Sequence, residues 1–267
     1  FDLVNPESDP RFKDYWQTFH RITERRGVTP DSAKAIVRTR NTVIAAIMVY
    51  RNEADALICG VVGQYHKKLK YVTEVLGMRE DCQTMGALSA MTNESGTYFV
   101  CDTHVNPDPT AEQIADLTLM AAEKVRMFGI TPKVALLSHS SFGSHVNEQA
   151  SKMRRALNLV RERAPDLEVE GEMRADAALM PNIRERIFPN SMLKGPANLF
   201  VMPDQDAAHI AFNMARVIGK GVNVGPILMG AGRPAHVLTP SATVRRVVNM
   251  TAIAVFDAQM EAAARDD

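Results

Sequence analysis

The sequence is poor in tryptophan, with one, and in cysteine, with three: Cys59, Cys82 and Cys101. An odd count at wide spacing, with no CxxC pair, excludes a zinc knuckle and a secreted disulfide framework. It points to reduced thiols in a cytosolic protein. There is also no excess charge of either sign, because Lys plus Arg and Asp plus Glu both number 31. A dedicated nucleic-acid binder would show a basic footprint, so only local patches could serve an anionic ligand. No apolar run approaches the ~20 residues of a membrane span; the longest, Thr42 to Tyr50, is too short. The chain opens at Phe1 with neither signal peptide nor initiator Met, as expected of a piece of a longer polypeptide.

What is present fits an ordinary globular chain of 267 residues, 46% hydrophobic and 23% charged. That length suits one large domain or two medium ones, with a core that needs neither disulfide nor metal. Apolar positions at three- and four-residue spacing predict a helix over Asp9 to Arg26, closed by Gly27. Thr29-Pro30-Asp31 starts another by placing an N-cap before a first-turn proline. Ala56 to Val62 reads as a strand, Tyr65 to Leu76 as a basic helix, and Thr97 to Asp102 as a strand entering the turn Asn106-Pro107-Asp108-Pro109. Thr110 then caps a long helix through Phe128.

Beyond it, strands are expected at Lys133–Leu137, Leu167–Glu170, Asn198–Met202 and Val224–Met229. They alternate with helices at Ser144–Arg163, Asp176–Ile187, Ala207–Ile218 and Ala242–Ala264. Strands separated by helices of that length predict βαβ units, a mainly parallel sheet and an α/β class.

The most informative segment is Ser138-His139-Ser140-Ser141-Phe142-Gly143-Ser144-His145, where a buried strand empties into a Ser- and Gly-rich loop that is expected to open a helix. Such a loop can aim N–H groups and hydroxyls at an anion. It can equally be an N-cap loop with solvated serines, and the pattern does not decide between the two. It is neither a Walker loop nor a dinucleotide turn. His139 and His145 have no Cys, Asp or Glu at ligand spacing, which speaks against a metal site. A Ser-His-Asp hydrolase would need a Gly-x-Ser-x-Gly elbow that is missing. His66-Lys67-Lys68-Leu69-Lys70 is a basic patch at a helix start, either a phosphate holder or a solvated face. Arg245 and Arg246 sit near the start of the last helix, where cations oppose the helix dipole. The 15 methionines read as core filling.

Eight segments in this order resemble the phosphate acetyltransferase (phosphotransacetylase) family over essentially the whole chain. They are Glu53-Ala54-Asp55-Ala56 with Gly60, Asp102 to Thr110, Ser138 to Ser144, Ala175 to Ala178, Phe188 to Ser191, Asn198-Leu199, Val224 to Leu228 and Val247-Val248-Asn249. Within the family the chain most resembles the C-terminal phosphotransacetylase-like domain of large bacterial NADP-dependent malic enzymes. The resemblance implies two α/β/α domains with mainly parallel sheets and an interdomain cleft, an isocitrate-dehydrogenase-like arrangement. The first domain would comprise 1–80 plus 229–267, the second 81–228, and the assembly would be a homodimer.

The family's mechanism, as the resemblance implies it, has an Asp take the proton of the CoA thiol. The thiolate attacks acetyl phosphate while a Ser-Arg pair steadies the phosphate. Aligned on Val247-Val248-Asn249, the Ser falls on Thr239, the Arg on Pro240 and the Asp on Arg246. A further family arginine falls on Lys70 and a family cysteine on Thr103. Proline donates nothing, lysine lacks the bidentate fork, and arginine cannot act as a base.

The leading expectation is therefore an acetyl-CoA-sensing regulatory domain without transferase chemistry, attached to an N-terminal malic enzyme domain of the same chain. The resemblance implies acetyl-CoA contacts at Lys70, Ser138, Ser140, Ser141, Gly143 and Ser144, and at Arg233, Thr239 and Arg246. No cofactor is expected in this fragment, NADP and a divalent metal belonging to the catalytic part; neither nucleic acid nor membrane is an expected partner, and the location is cytoplasmic. The alternatives are an active phosphate acetyltransferase and a purely structural dimerisation domain.

Overall fold

Local capping sets the element boundaries. The computed structural model describes residues 2–266. The first helix is α1 (Phe12–Thr23), extended by a 3-10 turn over Glu24–Arg26 that Gly27 closes in the left-handed region. Helix α2 (Pro30–Thr39) starts at Thr29, whose hydroxyl accepts from Ser32 N, with proline in the first turn. The apolar run Thr42–Tyr50 lies in α3 (Asn41–Tyr50), with both flanks buried. Then follow β1 (Leu57–Gly60) and α4 (Tyr65–Leu76).

The chain continues with β2 (Gly86–Asn93), β3 (Gly96–Cys101) and α5 (Ala111–Met127). Thr110 and Gln113 close a reciprocal capping box at the start of α5. Next come β4 (Val134–Leu137), α6 (Glu148–Arg163) and β5 (Val169–Met173). The expected helix over Asp176–Ile187 is two short ones, α7 (Ala175–Leu179) and α8 (Pro181–Ile187), because Pro181 ends the first and opens the second. The last elements are β6 (Leu199–Val201), α9 (Gln205–Ile218), β7 (Val222–Met229), β8 (Ala235–Leu238) and α10 (Val244–Asp266).

The chain divides into two units. One holds the residues up to Glu80 and those from Ala231 on; the other is Asp81–Gly230. In the first, β1 and β8 form a parallel pair, Leu57 opposite Ala235 and Gly60 opposite Leu238. Helices α3, α4 and α10 pack on it. Arg233 ties this unit together, donating to Glu261 of α10 at 2.8 Å and also to Asn52 and the Val49 carbonyl behind α3. His236 of β8 is fully buried and faces Asp257 of α10, with Nε2 to Oδ2 at 3.3 Å.

The second unit is built on a six-stranded sheet in the order β5-β4-β6-β3-β2-β7. The four strands β5, β4, β6 and β3 run parallel, whereas β2 is antiparallel to both β3 and β7. Strand β2 went unread in the sequence because Gly-Ala-Leu-Ser-Ala-Met-Thr-Asn has neither β-branched density nor clean alternation. Leu88, Phe99, Leu136 and Leu199 are fully buried in this unit, each such side chain contributing roughly 1.5–3 kcal/mol.

The tightest backbone approach is at Gly60. Its φ is +106°, and a Cβ there would lie 2.1 Å from the Leu238 carbonyl oxygen. Both strain and overlap then fall on the β1–β8 strand pair of the first unit. Gly60→Ala is expected to destabilise that unit by about 3 kcal/mol or more. Gly27, at φ +82° with nothing within 4 Å, is the control; its alanine variant should lose only about 1 kcal/mol. Urea titrations of the two variants check the contrast.

Candidate functional site

Each unit carries polar groups at the ends of its strands. In the second unit, β4 ends at Leu137 and the chain turns through Ser138–His145 before α6 begins at Glu148. Helix α6 therefore starts later than expected. Its cap is Asn147, whose side chain accepts from Ala150 N at 2.8 Å. The serine loop does not present its own amides at the helix N-terminus.

Instead the loop closes on β5. Ser138 N donates to the Met173 carbonyl at 2.9 Å and Phe142 N to the Glu172 carbonyl at 2.8 Å. The Glu172 carboxylate, wholly buried, accepts through Oε1 from Ser140 Oγ at 2.7 Å, Gly143 N at 3.0 Å and Arg154 Nη1 at 2.9 Å. The Ser141 hydroxyl accepts from Arg174 N at 3.2 Å. Phe142 holds a left-handed backbone at φ +50°, and its ring stacks on Phe188 at 4.6 Å. Ser140 and Ser141 are buried, whereas Gly143, Ser144, His139 and His145 are exposed. The two histidine rings meet edge to face at 5.2 Å.

A second knot follows β3. Asp102 is almost wholly buried and accepts from the backbone N–H groups of Ala87, His104, Val105 and Asn106 and from the Asn106 amide. Burial pushes its carboxyl above the ordinary aspartate range, against the backbone donors of His104, Asn106 and Ala87. Thr103 is fully buried; its hydroxyl lies 2.8 Å from both Ser89 Oγ and His104 Nδ1.

Arg184 is the largest fully buried side chain of the described residues and donates to the carbonyls of Ala177, Leu193 and Gly195. It fastens the Phe188–Gly195 stretch that carries the Phe142 stacking partner. Neither Glu172 nor Arg184 stood out in the sequence. The available signal was a glutamate inside the buried strand Val-Glu-Gly-Glu-Met, a position that demands donors.

In the first unit the β8–α10 junction brings Thr239, Ser241 and Arg246 together. Arg246 is buried, and Nη1 lies 3.3 Å from both Thr239 Oγ1 and Ser241 Oγ, while its backbone N–H donates to Thr243 Oγ1. Lys70 stands apart on α4, exposed, within 3.7 Å of Glu74. Arg233, expected as a ligand contact, is occupied by Glu261 and Asn52 and acts as a tie between helices.

Burial pushes the Cys59 thiol up to about 11 and the Cys101 thiol well above its ordinary value, which makes both poor nucleophiles. Among the described residues no three of His, Cys, Asp and Glu converge as a metal site, and no helix is long and apolar enough to cross a membrane.

A family model described as phosphate acetyl/butaryl transferase matches residues 1–255. The NADP-dependent malic enzyme of Escherichia coli (strain K12) is 55% identical over 262 residues, covering 98% of this chain but 34% of that protein. The chain thus spans about a third of the malic enzymes it matches. The phosphate acetyltransferase of Corynebacterium glutamicum is 31% identical over 256 residues, covering 96% of this chain and 78% of that protein. Among solved structures, a phosphotransacetylase from Streptococcus pyogenes superposes with a TM-score of 0.88 at 27% identity, over 96% of this chain and 77% of that one.

The Asp102 knot yields a direct test. In Asp102→Asn the amide nitrogen faces other donors whichever way it turns, and the charge is lost. About 3 kcal/mol of stability should go with it, read as a lower urea midpoint at unchanged slope. A loss below about 1 kcal/mol, the ordinary size of one hydrogen bond, would mean the turn is held by its other contacts.

Proposed function

Because the chain belongs to the phosphate acetyl/butaryl transferase family, we propose that it is a retired transferase that senses acetyl-CoA for a malic enzyme of which it forms the C-terminal part. The observation that carries the proposal is Arg246. At the position where the family resemblance puts the general base stands a buried guanidinium, held by the hydroxyls of Thr239 and Ser241. A guanidinium stays protonated and takes no proton from a thiol. Pro240, in the place of the family arginine, has no N–H to offer a phosphate. The likeness to malic enzymes at 55% identity supports the second half of the proposal.

Regulation has a strict thermodynamic form. Acetyl-CoA must bind one state of the assembly better than another, since equal binding to both shifts nothing. Lys70 is the exposed cation best suited to a phosphate, because its pairing with Glu74 is a surface contact of little worth. The parent's malate oxidation with NADP, a divalent metal in its catalytic part, and dimerisation through this domain belong to the same proposal.

Two outcomes are expected. Acetyl-CoA at ten times its dissociation constant should stabilise the chain by roughly 1.4 kcal/mol, seen as a rise of about 2–4 °C in Tm. Lys70→Ala should weaken binding about tenfold, the worth of one charge-assisted bond. Calorimetry that finds no heat at two temperatures, with no thermal shift, removes the sensor.

Transfer of acetyl between CoA and phosphate should meanwhile be negligible. A general base supplies about 10²–10⁴-fold and one preorganised donor about 10²–10³-fold. From a typical turnover of about 10 per second, loss of both leaves on the order of 10⁻³ per second or less. Phosphate-dependent release of CoA above one per second, abolished by Thr239→Ala, would establish the active transferase instead.

A further inference from the structure

The serine loop has the composition of an anion cradle, but its backbone donors from Ser140 to His145 are spent. Every backbone N–H from Ser140 to His145 has an acceptor within the second unit. Ser140 N donates to Ser138 Oγ at 3.2 Å, Ser141 N to Ser144 Oγ at 3.0 Å, and Phe142 N to the Glu172 carbonyl at 2.8 Å. Gly143 N donates to Glu172 Oε1 at 3.0 Å, Ser144 N to the Ser141 carbonyl at 3.1 Å, and His145 N to Ser140 Oγ at 3.1 Å.

The hydroxyls complete a chain with one polarity. The Glu172 oxygen only accepts, so Ser140 Oγ, at 2.7 Å, donates to it. With its proton committed, Ser140 Oγ serves as acceptor for His145 N and for Ser144 Oγ at 3.3 Å. Ser144 Oγ in turn accepts from Ser141 N. Arg154 closes the ring, donating to the same carboxylate oxygen at 2.9 Å and to the His145 carbonyl at 3.3 Å. Two of the loop's donors, the Ser140 hydroxyl and the Gly143 amide, meet on one carboxylate oxygen, and His145 N reaches the same point through Ser140 Oγ, so the negative charge that the loop closes around belongs to the protein.

We infer that Glu172 is the resident anion of the Ser138–His145 loop: it occupies the nest that the loop's donors form, fixes their geometry, and excludes phosphates from them. Glu172 is a positioning residue, acting through the loop and touching no ligand itself. Phosphate groups of any bound cofactor must then be held by side chains elsewhere, and the serine loop can offer a ligand only its outward edge, where His139 and His145 are exposed. This inference does not rest on the acetyl-CoA proposal and is tested without that ligand.

The test follows the loop amides by amide NMR and hydrogen exchange in the whole chain. In the wild type, millimolar inorganic phosphate should leave the Phe142, Gly143 and His145 amides unmoved. In Glu172→Ala the same amides should exchange at least about tenfold faster, the loss of one charge-assisted bond. Formate, which restores a carboxylate to the vacated space, should slow them again, whereas chloride at equal ionic strength should not.

Glu172→Gln keeps an acceptor for Ser140 and Gly143 without the charge. It should show intermediate exchange, and it carries the test if the alanine variant does not fold. A saturable phosphate shift of Gly143 in the wild type overturns the inference. So does wild-type exchange in either variant, or a folded alanine variant that ignores formate.

Discussion

A carboxylate oxygen taken out of water needs donors, and the second unit gathers three of them on Glu172 Oε1. The residue sits near the end of β5 with no exposed surface. Its desolvation would cost several kcal/mol uncompensated. The compensation comes from a loop hydroxyl, a loop amide and the Arg154 guanidinium, all on one oxygen. Because those donors belong to the stretch after β4 and to α6, satisfying one charge fixes the path of the chain between two adjacent parallel strands. The left-handed backbone of Phe142 is tolerated on the same account, since its N–H and its ring are both held, by the Glu172 carbonyl and by Phe188.

Asp102 repeats the device after β3, three places along the sheet from β5. It draws four backbone N–H groups and a side-chain amide into the turn that leaves β3. Glu170 does so on β5, taking Gly171 N, Met192 N and Arg161. Arg184 is the inverse case, a buried cation satisfied by three carbonyls instead of a carboxylate. Loops at strand ends have few apolar contacts to hold them. Buried charges with directional bonds supply the order that packing cannot.

What could be read in the sequence follows from the range of the interaction that decides it. The caps at Thr29 and Thr110 were legible because donor and acceptor lie three residues apart. The α/β class and the strands at β3, β4 and β6 were legible from apolar runs between amphipathic stretches. Strand β8 was not, since four residues between Pro234 and Thr239 resemble a loop until β1 is placed beside them. Nor was the polarity of the serine loop. Its residue types suit an outward anion and an inward one equally, and the choice is made by Glu172, 32 residues beyond Ser140. The family resemblance found the right segments but could not show which of their polar groups were already taken.

The two units treat polar groups at their strand ends in the same way. In the second, the Ser140 hydroxyl and the Gly143 amide meet Glu172. In the first, the hydroxyls of Thr239 and Ser241 contact a buried Arg246. Removing the guanidinium would leave the two hydroxyls without that donor, while the Arg246 N–H bond to Thr243 would stay. On the proposed function Arg246 has two parts: it offers no means of activating a thiol, and it bonds the strand–helix junction through Thr239 and Ser241. On that proposal the binding fold is kept without the chemistry, as a receptor requires, since a receptor must hold its ligand without consuming it.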